Sequence, residues 1–187
     1  MRISRLFVLA ALVGACCLAA TASASAATAT CTGATGKIKL SPGLSETATV
    51  QNIQVKGELT GCTGEGAKES YKFQIHAKTA EAVTCSALTS GALSGAESTI
   101  LIKASGEGNS SGEVSFQLIE GAGSFSSGTL TGGAFEGGTA SGSLTESFTG
   151  GATCGKPVIT EKHGKISEKP AKKVNKGEVT AGSASLT

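Results

Sequence analysis

Apolar and polar residues alternate with a period of two along much of this chain. In Gln51–Gly64, Ile53, Val55, Gly57 and Leu59 share one face, and Gln54, Lys56 and Glu58 share the other. That is the pattern of a half-buried β-strand. Glu69–Lys78 alternates most cleanly: Tyr71, Phe73, Ile75 and Ala77 point inward, while Lys72, Gln74, His76 and Lys78 point out. Shorter strands are predicted at Gly36–Leu40, Glu97–Ala104 and Gly112–Glu120, with a weaker one over Ala82–Leu88. Ser41-Pro42-Gly43 is predicted as a turn, because proline presets φ and glycine accepts positive φ. Ala27–Thr30 reads as a loose start and Gly106–Gly112 as a hairpin loop. No window holds a period near 3.6 for three turns, so little or no helix is expected.

From Gly121 to Gly155 glycine is frequent, and a flexible linker competes with a set of short strands. Leu130, Phe135, Leu144 and Phe148 recur between the glycines as inward residues should, which favours strands with glycine at close backbone approaches. A small motif repeats: Gly57–Gly61, Gly91–Gly95, Gly128–Gly132 and Gly142–Thr145 each centre on a leucine, and in the last Glu146 replaces the closing glycine. The intervals are irregular, which excludes a solenoid. Lys156–Thr187 has 7 Lys against 3 Glu, whereas residues 27–155 have 7 against 11. Strands are expected near Val158–Glu161 and Gly177–Leu186. The lysines of this section, Lys162, Lys165, Lys169, Lys172, Lys173 and Lys176, offer either a solvated edge or an electrostatic foothold on an anionic polymer.

Composition narrows the chemistry. Residues 1–26 read as a signal peptide: Arg2 and Arg5, an apolar Leu6–Ala20, and Ala24-Ser25-Ala26 for cleavage. The expected product is a single β-domain over residues 27–187, with 156–187 as a lysine-rich and looser section. An alternative is lipidation at Cys16 in Val13-Gly14-Ala15-Cys16. No later run is long and apolar enough for a membrane span. Past residue 26 there is no arginine, and the whole chain has neither aspartate nor tryptophan. Bidentate recognition of phosphate or guanine, aspartate-oriented triads and broad aromatic platforms are therefore unsupported, and no nucleic-acid partner is expected.

Four cysteines follow the signal: Cys31, Cys62, Cys85 and Cys154. In an exported chain they imply two disulfides, for which three pairings exist. Cys31 with Cys62 and Cys85 with Cys154 are favoured, the first tying the ends of an N-terminal hairpin. His76 lies at an outward position and His163 has no patterned partner. No pair of glutamates is singled out as a catalytic couple. No catalytic, metal or cofactor site is expected, and the chain does not read as an enzyme.

The succession Cys31-Thr-Gly, Leu40-Ser-Pro-Gly-Leu44, Gly61-Cys62-Thr-Gly64, Thr84-Cys85 and Thr153-Cys154-Gly155 resembles a group of secreted, Gly/Thr-rich proteins of high-GC Gram-positive bacteria. The resemblance implies an exported all-β domain and brings no activity. The Gly-x-Leu-Thr-Gly strands are also similar to avidin-type barrels, without the tryptophan of a biotin site.

The expectation is thus an all-β fold: one antiparallel β-sandwich or up-and-down β-barrel, held by two disulfides. Its expected role is a secreted, non-catalytic binding or structural module, engaging an anionic envelope polymer or another protein. The alternative is a barrel carrier with a small-molecule cavity.

Overall fold

The structure is a computed structural model that describes residues 27–90, 93–162, 165–169 and 171–187. The signal peptide, Cys16 and His163 lie outside the described residues. Of the two architectures left open, the chain adopts the barrel. Its wall is formed by β1 (Ala29–Leu44), β2 (Asn52–Thr63), β3 (Ser70–Thr79), β4 (Leu93–Lys103), β5 (Asn109–Ile119), β6 (Ala122–Ser127), β7 (Ala140–Phe148) and β10 (Val174–Leu186). Each strand is antiparallel to its sequence neighbour, and β10 pairs with both β7 and β1 to close the sheet. Closure leaves no free edge in the wall. Between β7 and β10 stands a separate hairpin of β8 (Val158–Lys162) and β9 (Lys165–Lys169), on which Ile159 and Ile166 are exposed.

The alternating residues do what their period requires. Ile38, Leu40, Ile53, Val55, Leu59, Tyr71, Phe73, Ile75, Ile100, Ile102, Phe116 and Leu118 are all buried in one continuous core. An eight-stranded barrel has an interior just wide enough for side chains to fill. Glycine sets the local width. Phe73 faces Gly57 across the β2–β3 ladder, Phe125 faces Gly142, and Phe148 faces Gly177. A Cβ on Gly142 would stand 2.7 Å from the Phe125 ring, and one on Gly177 would stand 2.9 Å from the Phe148 ring. Large rings therefore lie over strand glycines, a pairing that restores apolar contact where a side chain is missing. The region 121–155 is accordingly strand and tight turn, and Leu130, Phe135, Leu144 and Phe148 are all buried. The central leucines of the repeated motif, Leu59, Leu93, Leu130 and Leu144, all enter the core.

Both ends of the barrel are plugged. At one, the 3-10 turn Gly133–Phe135 inserts Phe135 edge-on against Tyr71, with ring centroids 5.1 Å apart. At the other, the single helical turn α1 (Ala87–Ser90) buries Ala87 and Leu88. A disulfide guards each end: Cys31–Cys62, whose residues are direct partners in the β1–β2 ladder, and Cys85–Cys154.

Several predicted boundaries are corrected. Ser41-Pro42-Gly43 is not a turn between strands; it lies within β1, after a cis Ser41–Pro42 bond, where the ladder to β10 is irregular and a missing N–H is tolerated. Ala82–Leu88 is not a strand: Val83 makes one bridge to Thr49 and the chain then turns into α1. The loose start at Ala27–Thr30 is instead held: Ala29 and Thr30 open β1, with Thr30 paired to both β2 and β10, and the Ala27 and Thr28 N–H groups donate to the Ala134 and Glu65 carbonyls. Asn109, placed in a loop, opens β5.

Candidate functional site

The outer wall is divided by chemistry. On β10, β1, β2, β3 and β4 the outward positions hold Lys37, Lys39, Lys56, Lys72, Lys78, Lys103 and Lys176, all exposed. Register brings them together. Lys39 stands directly opposite Lys176, Lys37 opposite Lys56, and Lys72 opposite Lys103. Like charges directly opposite one another destabilise a sheet. The acids on this face are Glu58 and Glu178, with Glu97 at its edge. Glu178 stands opposite Lys37 and Glu58 opposite Lys72, whereas Lys39 and Lys176 face no carboxylate; among the described residues the one ion pair is Lys68–Glu107, at 2.8 Å and away from this wall.

Polar side chains fill the gaps between the lysines. His76 lies opposite Gln54, with nitrogen separations of 3.3 and 3.4 Å, and also contacts Gln74. Two shallow grooves cross the face. One, of 350 Å³, is lined by Lys39, Asn52, Gln54, His76, Lys78 and Glu97 among others. The other, of 450 Å³, is lined by Lys37, Lys39, Lys56, Lys176 and Glu178 among others. Both open outward. The opposite wall carries no lysine: Ser124, Ser126, Ser141, Ser143, Thr145 and Ser147 occupy its outward positions on β6 and β7.

The lysines singled out in the C-terminal section are not gathered into one patch. Lys176 belongs to the wall, Lys162 and Lys165 sit at the tip of the β8–β9 hairpin, Lys169 ends β9, and Lys172 and Lys173 lie in the connection to β10. The wall is built mainly from lysines of the barrel strands. Their outward phase could be read from the alternation, but not the register that sets Lys37 against Lys56.

One carboxylate faces inward. Glu146 on β7 is 2% exposed, beside Gly123 and opposite Val179. Neither carboxylate oxygen has a hydrogen-bond partner at full geometry. Burial pushes its carboxyl up from 4.5 to about 7, against a smaller opposing pull from the Ile119 backbone. A signal was present in the sequence, since Glu146 shares the phase of Leu144 and Phe148. The consequence is a pH dependence. Between about pH 4.5 and 7 the unfolded chain ionises here while the folded chain keeps its proton. Stability therefore falls as pH rises through that window and levels off above it. Glu146→Gln is expected to abolish that slope, and above pH 7 to raise the unfolding free energy by about 3 kcal/mol, read by chemical denaturation at several pH values. A parent and variant with parallel pH profiles would contradict it.

Among the described residues no other charged side chain joins Glu146 in the core; the buried polar groups beside it are Gln51, Thr79, Ser98 and Ser110, with the Tyr71 hydroxyl accepting a hydrogen bond from the Lys68 backbone N–H at 2.7 Å. Among the described residues no group of three metal-ligating side chains assembles, and no helix is long and apolar enough to cross a membrane. Scans against protein-family models, curated proteins and solved structures find no match to this chain.

Proposed function

We propose that this protein is an exported, non-catalytic binding module of the cell envelope or extracellular space, and that it engages an anionic polymer through the lysine wall of β10, β1, β2, β3 and β4. The observation that carries this reading is the register. Three lysine–lysine pairs stand directly opposite one another; Glu178 also faces Lys37 and Glu58 also faces Lys72, but the Lys39–Lys176 pair has no carboxylate directly opposite either member. Such an arrangement costs stability when the protein is free, and an extended polyanion lying across the strands relieves the cost. Two disulfides fit an oxidising compartment. The continuous side-chain core supports a role for the wall over that of an internal carrier, and the lysine-lined grooves lie on the outer face of the barrel.

Lys39→Glu tests the reading by separating stability from binding. It places a carboxylate opposite Lys176, so the variant is expected to be as stable as the parent or more stable by about 0.5 kcal/mol. Its binding to inorganic polyphosphate or polygalacturonate is expected to weaken about tenfold, and the parent's binding to fall with added salt. Salt-insensitive binding, or a Lys39→Glu variant that binds equally well, would defeat the proposal.

A further inference from the structure

The hairpin of β8 and β9 breaks the rule that governs the barrel. Its strands pair with each other and with no strand of the wall. Ile159 is 67% exposed and Ile166 75%, against 37% for Val50 and Ile119, the other exposed large hydrophobics among the described residues. A two-stranded hairpin is marginal in water unless one face packs against something. Register shows that the two isoleucines belong together. Ile159 stands opposite Glu168 and Ile166 opposite Glu161. These four residues therefore share one face, with the isoleucines on one diagonal and the glutamates on the other. Lys162 and Lys165, also direct partners, occupy the opposite face.

The chemistry of the first face selects its partner. Among the described residues neither Glu161 nor Glu168 is in an ion pair. An acidic polymer or an anionic lipid surface is repelled by the two carboxylates, and a wholly apolar partner would have to desolvate them. The fit is a surface that offers cations on apolar stems, and the barrel wall is one. Lys39 and Lys176 stand opposite each other with no carboxylate opposite either. They line the 450 Å³ groove together with Lys37, Lys56 and Ile38. The methylene stems of the lysines give that groove apolar sides. Each surface supplies what the other lacks: two carboxylates for two ammonium groups, and apolar sides for two isoleucines.

We propose that the hairpin face of Ile159, Glu161, Ile166 and Glu168 docks in the lysine groove of a second copy of this chain, each copy giving its hairpin to the other about a twofold axis. Hairpin and groove belong to the same chain, so exchange satisfies both surfaces of both copies and closes as a dimer. The face is small, which makes the association weak and reversible. It needs the wall lysines and not a polyanion, so it does not rest on the reading above; a polyanion competes for the same groove and separates the copies.

The test is analytical ultracentrifugation of the full, disulfide-bonded chain over about 1 µM to 1 mM. The parent is expected to pass from monomer to dimer as concentration rises, and to shift back with added salt. Two variants carry opposite reversals: Glu161→Lys with Glu168→Lys on the hairpin, and Lys39→Glu with Lys176→Glu on the wall. Each alone sets like charge against like and is expected to weaken self-association at least about tenfold. Mixed in equal amounts they present lysine to glutamate at both contacts, and the mixture is expected to dimerise at least as well as the parent. Ile159→Ser with Ile166→Ser leaves every charge in place and is expected to weaken the dimer about tenfold. All the substituted residues are exposed, so melting temperatures should stay near the parent's. The hairpin reversal leaves the wall intact and should bind inorganic polyphosphate at least as well as the parent, so the two readings fail separately. A parent that stays monomeric over the whole range or grows beyond a dimer, hairpin variants that associate like the parent, or a mixture that does not associate, as when the hairpin closes on its own barrel, would overturn the proposal.

Discussion

Phe125→Ala is expected to lower the unfolding free energy by about 3–5 kcal/mol, the range for deleting a buried aromatic ring from a packed core. Phe125 is 4% exposed and lies over Gly142, its partner on β7, while Phe116 faces it on β5. Losing the ring opens a void over Gly142, which has no side chain to fill it. The reciprocal change, Gly142→Ala, forces a methyl group to within 2.7 Å of the same ring and against the Ser183 carbonyl. Overpacking of this kind costs about 1–3 kcal/mol. The two residues share one space, so the double variant should lose less than the sum of the single losses, with a coupling of about 1 kcal/mol by urea denaturation. Strict additivity would mean that the ring is not seated on the glycine.

Removing the Cys85–Cys154 bond, as Cys85→Ala with Cys154→Ala, is expected to cost about 4 kcal/mol. That link closes a loop of 69 residues, whereas Cys31–Cys62 closes one of 31. Chain entropy makes the longer loop worth about 0.7 kcal/mol more. The difference in position acts in the same direction. Cys31 and Cys62 are already held together by the β1–β2 ladder, but Cys85 and Cys154 join two stretches outside regular strands, beside the α1 plug. Guanidinium denaturation of the two double-alanine variants should therefore place the Cys85/Cys154 variant at the lower midpoint. The opposite order would contradict this account of the barrel ends.

How legible the fold was in the sequence follows from how each strand announces itself. β3 was readable almost to the residue because Tyr71, Phe73, Ile75 and Ala77 are large or apolar and strictly alternate. The first half of β1 was not, because its inward residues are Ala29, Cys31 and Ala34, too small to stand out, and they do not keep step. Cys31 and Ala34 are three apart, and so are Leu59 and Cys62 opposite them, so the two strands slip phase together. Pairing hides such a slip from any single-strand reading. The choice of barrel over sandwich depended on β10 bonding to both β7 and β1, a contact across the whole chain. The candidate sites were legible to the same depth: the outward phase of Lys56, Lys72 and Lys78 was visible, and the register gathering them was not. The irregularity of β4 between Ser94 and Thr99 left no mark, because it falls where the expected strand Glu97–Ala104 begins.

A filled barrel with one charged wall makes a spatial claim that mapping can address. Backbone amide shifts of the full chain should be followed as inorganic polyphosphate is added. The account predicts changes concentrated at Lys37, Lys39, Gln54, Lys56, His76 and Lys176, fading with added salt, while the serine wall of β6 and β7 stays still. Shifts centred on the β6–β7 wall or on the inward residues of the core would contradict it.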